Sequence, residues 1–114
     1  MGSGIYRIQV KTCRRTVQTA GVPEALETGV PSTYEIKSIT IKAYATNNGN
    51  LYIGDSNRVS DADYSYIMQP GETISLDVTN IDQYAYLDLT QIWLDADTDA
   101  NGLSFIALSD KEPW

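Results

Sequence analysis

Histidine is absent from these 114 residues, and cysteine occurs once. No apolar run approaches the roughly 20 residues of a membrane helix. Each absence excludes a class of chemistry. Without an imidazole there is no Ser-His-Asp or Cys-His activation of a nucleophile, and no zinc site of the usual kind. The lone Cys13 has no internal partner for a disulfide, so nothing argues for an oxidising compartment. No Asn-x-Ser/Thr sequon occurs. The opening MGSGIYRIQV has no basic head followed by an apolar block, so no secretory leader is expected in it.

Positive charge is scarce. Eight Lys and Arg stand against fifteen Asp and Glu, for a net charge of -7 and a pI near 4.3. Nucleic acid is therefore not expected as a partner, because phosphate binding needs a basic face. The few bases are unevenly placed. Residues 1–20 carry Arg7, Lys11, Arg14 and Arg15 and no acid, while the remainder has a balance of -11. The bland reading is a strand with a solvated charged face, the usual fate of such runs. The sharper one is a basic edge that docks on an acidic partner.

What is present is two-residue alternation. Tyr6, Ile8 and Val10 alternate with Arg7, Gln9 and Lys11, a strand with one wet face. Ile39, Ile41, Ala43 and Ala45 alternate with Thr40, Lys42, Tyr44 and Thr46. Ile74, Leu76 and Val78 do the same further on, and so do Ile92, Leu94 and Ala96. Asn48-Gly49 supplies the residue types of a tight hairpin turn, with residues 51–54 as the returning strand. Pro70-Gly71 suits the centre of a type II turn. Residues 20–33 are broken by Gly21, Pro23, Gly29 and Pro31, and PEALET offers at most one helical turn in a loop or arm. No helical periodicity occurs. The expectation is an all-β protein: an antiparallel β-sandwich of about eight short strands with jelly-roll-like pairing. It forms one domain over residues 1–114. Residues 1–33 are a basic first strand plus a Pro/Gly-rich loop or arm, 34–108 the core and 109–114 a tail.

Few groups are placed for chemistry. Gly54-Asp55-Ser56 resembles a serine-esterase block, but no histidine is there to take the serine proton. Cys13 lies among Lys11, Arg14 and Arg15, whose charge favours a thiolate, yet no partner base is visible. Acidic pairs such as Asp61 with Asp63 read as solvated loop residues rather than a glycosidase pair. The chain is not expected to be an enzyme or to carry a cofactor. Asp97, Asp99 and Asn101, with Asp95 before them and Gly102 after, match the first half of a calcium loop. The position for the bidentate acid is Leu108, so the match is half a motif, and the same residues suit a plain hairpin turn. Among the aromatics, Tyr44 and Trp93 fall opposite the aliphatic residues of their own strands. Interface rings are the favoured reading and sugar stacking the alternative.

The block ITIKAYATNNGNLYIGDSNRVS, followed by YIMQPGETISLDV and LDLTQIWLDADTDANGLSFIAL, resembles small virion structural proteins of tailed bacteriophages, the capsid decoration and head-associated proteins and domains of fibres. The resemblance is carried by Asn48-Gly49, Tyr52 to Ser56, Val59-Ser60, Pro70 to Glu72 and Leu89 to Ala96, in that order and spacing, over residues 39–108. It implies no catalytic residues. It implies a place on the capsid surface of a virion after synthesis in the host cytoplasm, with the major capsid protein or another virion protein as partner. Open sheet edges and the off-face rings Tyr44 and Trp93 make a homo-oligomer the expected assembly, and the resemblance makes a trimer the first choice. Partner-interface candidates are Arg7, Lys11, Arg14, Arg15, Tyr44 and Trp93. The alternative function is a carbohydrate- or calcium-binding module, for example of a phage fibre.

Overall fold

Ile39, Ile41 and Ala43 are buried, while Lys42 between them is exposed, so the period-2 pattern places one face of this strand in the core. The computed structural model describes residues 9–26, 36–59, 66–78, 81 and 85–109. They form eight strands: β1 Gln9–Thr16, β2 Glu24–Ala25, β3 Ile36–Ala43, β4 Leu51–Gly54, β5 Tyr66–Met68, β6 Thr73–Asp77, β7 Trp93–Ala96 and β8 Gly102–Ser109. A 3-10 turn, Leu89–Gln91, precedes β7, and no α-helix occurs among the described residues.

The strands make two four-stranded antiparallel sheets, in the orders β1-β8-β3-β6 and β2-β7-β4-β5. The pairs β1–β8, β2–β7, β3–β6 and β4–β5 are successive steps of one long ribbon folded over on itself. That is the jelly roll, a sandwich of two Greek keys. Its core is shared between the sheets. Ile39, Ile41, Leu103, Phe105 and Ala107 of the first meet Leu51, Ile53, Met68, Leu94 and Ala96 of the second. Ile36 lies out of phase with Ile39. A bulge between Ile36 and Ser38 inserts one residue, Lys37, and brings both isoleucines to the core.

Several expectations are corrected. Asn48-Gly49 is not a hairpin turn: β3 lies in the first sheet and β4 in the second, so this loop crosses the sandwich. Gly49 has the expected positive φ of 93°, but Asn48 does not, as Ala100 is the one non-glycine described with φ above zero. The Pro70-Gly71 turn forms with the right geometry, Gly71 at φ 84° and the Glu72 amide donating to the Gln69 carbonyl at 3.0 Å. It too joins strands of different sheets. Residues 97–101 likewise connect β7 to β8 across the sandwich rather than close a hairpin. PEALET holds the two-residue strand β2, paired with β7, in place of a helical turn or free arm. The core also begins before residue 34, because Val17 and Leu26 are fully buried within it. The alternation from Ile39 to Thr46 continues past the strand itself, because β3 ends at Ala43.

Candidate functional site

Four loops meet at one end of the sandwich: residues 17–23, 44–50, 69–72 and 97–101. Backbone bonds tie Val17 to Asn101 and Ala100, Asp97 to Asn50, and the end of β3 at Ala43 to Glu72 and Gly71. The half calcium motif lies here, and each oxygen-bearing side chain is spent on a loop. Asp95, only 3% exposed, accepts from the amides of Gly21 and Ala96, both at 2.8 Å. Asp99 accepts from the Ala20 amide at 2.7 Å. Asp97 accepts from the Asn50 amide at 2.8 Å and from the Tyr52 hydroxyl at 2.6 Å. Asn101 exchanges two bonds with the backbone of Asn48, at 2.9 and 2.7 Å. Asn47 likewise brackets Gly102, its side-chain oxygen accepting from the Gly102 amide and its nitrogen donating to the carbonyl. The four candidate ligands thus clamp the loops that bend the ribbon. Among the described residues no group of three or more His, Cys, Asp or Glu is arranged to hold a metal.

The outward face of the first sheet is a different kind of surface. Register sets its rows. Val10 and Ser38 flank Leu108, Thr12 and Thr40 flank Ile106, and Arg14 and Lys42 flank Ser104. Val10, Ile106 and Leu108 are 55%, 45% and 37% exposed, although β8 is a central strand. The exposed Thr40 and Ser75 hydroxyls share a hydrogen bond of 3.0 Å across the β3–β6 ladder. Two shallow depressions of about 370 and 460 Å³ meet at Arg14 and Ser104. The floor is low there because serine is short between two long cations.

The sequence candidates divide. Arg14 and Tyr44 come together on this face, and Lys42, which sequence reasoning missed, joins them. The signal was available: Lys42 and Tyr44 share a parity in the alternation that runs from Ile39 to Thr46. Tyr44 is half-buried, its ring lying on Gly102, where an added Cβ would come within 2.9 Å. Arg15 points the other way, its Nε donating to the Leu26 carbonyl at 2.6 Å. Lys11 shares that inward parity and is half-buried. Trp93 lies on the second sheet, opposite Ala25 and Gly54, also half-buried. Neither ring therefore stands fully wet in a single chain. Arg7 lies outside the described residues, as do Asp61 and Asp63. Cys13 donates weakly to the Arg14 carbonyl at 3.4 Å, and the Ser56 hydroxyl accepts from the Arg58 amide at 3.2 Å.

A further concavity of about 740 Å³ opens along the side of the sandwich between the edge strands β5 and β6. Ile53, Ile74, Leu76 and Ile92 line it, with Tyr66 and Asp55 at the rim. It exists because β5 has only three residues and leaves the inner face of β6 partly uncovered. No protein-family model matches this chain, and no curated protein matches it significantly.

Proposed function

We propose that this chain is a non-enzymatic structural protein of a bacteriophage particle that decorates or cements the outer capsid surface. One observation carries the reading: an acidic jelly roll turns out a flat sheet face that is apolar at its centre and basic at one end. Flat faces with exposed aliphatic residues serve contact with other proteins better than turnover of a small substrate. The sequence resemblance to virion proteins points the same way. The partner is the major capsid protein or another virion protein, and a homo-oligomer, a trimer first, is the expected assembly. Mass spectrometry of purified virions, with cryo-EM of the particle, tests the reading. Absence of the protein from virions defeats it. Light scattering of the free protein tests the oligomer, and a clean monomer at high concentration removes that part alone.

A second reading has one observation of its own. In the side groove Tyr66 is 58% exposed beside Asp55 and Gln91, an aromatic ring with polar neighbours of the kind that stacks on and orients a sugar. The groove's aliphatic lining favours it less. A glycan array decides, and silence across the array removes this alternative.

A further inference from the structure

The described cations are not alike. Lys11, Arg15, Lys37 and Arg58 each have a bonding partner. Arg14 and Lys42 make no side-chain hydrogen bond or ion pair among the described residues. Both are exposed and both stand on the outward face of the first sheet. They lie directly across from Ser104, one on each side of it. Two ladder steps separate their strands by about 10 Å, and both side chains are long enough to reach inward over a serine. In a chain of net charge -7, two cations that line one shallow notch and have no partner among the described residues stand apart from the other described cations.

The geometry points to a docking notch for a carboxylate of an acidic protein surface, held by Arg14 and Lys42 above Ser104, with an aliphatic neighbour laid on Ile106 and Leu108. This inference deepens the capsid reading and rests on it for the identity of the partner. Charge complementarity selects an acidic occupant, since opposed potentials steer docking and like charges suppress it. The same rule argues against a two-fold dimer through this face, which would bring Arg14 and Lys42 of both copies together. Size argues similarly. Four strands at about 4.8 Å spacing and eight residues at about 3.3 Å rise give a face of about 500 Å². Stable complexes bury about 800 Å² on each partner. A contact of this size is weak alone and gains strength by repetition on a lattice of identical sites.

The probe is poly-L-glutamate, titrated into the full chain by two-dimensional NMR. Shifts are expected at the amides of Thr12, Arg14, Lys42, Ser104 and Ile106, with binding weakened by salt. R14Q/K42Q is expected to bind at least tenfold more weakly. N57E/Q91E lowers the net charge by the same two units at exposed positions after β4 and before β7, both on the side of the second sheet, and is expected to bind within twofold of wild type. Shifts centred elsewhere, or equal binding by R14Q/K42Q, overturn the inference. Phage shells assembled without this protein separate the two claims. Shells that take up wild type and R14Q/K42Q equally overturn the notch and keep the capsid reading. Shells that take up neither, while poly-L-glutamate maps to the notch, remove the capsid reading and keep the inference.

Discussion

Replacing Tyr52 by Phe tests the loop clamps most directly. The Tyr52 ring is 6% exposed, and its hydroxyl donates to Oδ1 of Asp97 at 2.6 Å. The same carboxylate holds the Asn50 amide through Oδ2 at 2.8 Å. The substitution keeps the ring and its packing and removes one bond to a charged acceptor. Such bonds contribute roughly 1.5–3 kcal/mol, and because Asp97 itself is exposed the lower end applies. A loss of about 1.5 kcal/mol is expected, which lowers Tm by roughly 5–10 °C in a domain of this size. Asp97→Ala removes both bonds and should cost roughly twice as much. The double variant isolates the pair. If the hydroxyl acts through Asp97, the two losses fall short of additive by about 1 kcal/mol in urea denaturation. Additivity within about 0.3 kcal/mol, or a Tyr52→Phe variant as stable as wild type, would refute the clamp.

Gly102→Ala should destabilise by about 1–3 kcal/mol in thermal melts, because the added methyl meets the Arg15 carbonyl oxygen and the Tyr44 ring in a packed sheet. Gly49→Val should cost at least about 2 kcal/mol: its φ of 93° disfavours a β-branched residue, and a Cβ there comes within 2.8 Å of Asp97 Oδ2. Asn48→Ala should be close to neutral, since its side chain makes no described hydrogen bond, and a loss as large as that of Gly49→Val would show that the loop is misread. Millimolar calcium should leave Tm unchanged, because Asp95, Asp97 and Asp99 each hold amides of the surrounding loops; a rise of several degrees would show that these carboxylates turn inward to an ion.

Strand identity was legible in the sequence because a pleat alternates its side chains, and local spacing records that. Ile39, Ile41 and Ala43 read as an inward face and are one. Turn chemistry was legible for the same local reason: Pro70 presets φ and Gly71 accepts its positive value wherever the chain goes next. Which strands the turns join was not legible. Asn48-Gly49 and Pro70-Gly71 bend the chain equally well into a hairpin or across a sandwich, and only burial of both sheet faces against each other selects the crossing. The phase of β8 was open too. Leu103, Phe105 and Ala107 alternate with Ser104, Ile106 and Leu108, and both sets contain large apolar residues. Pairing with Thr12 and Thr40 turned Ile106 outward, and so made the exposed face. Asp95, Asp97, Asp99 and Asn101 were visible as a cluster of oxygens at calcium-like spacing. Their partners lie some 45 to 79 residues away in the chain, and only the folded ribbon brings those amides within reach. Local residue chemistry decided where this chain extends and bends, and the closing of one sheet over the other decided what each bend and each charge is for.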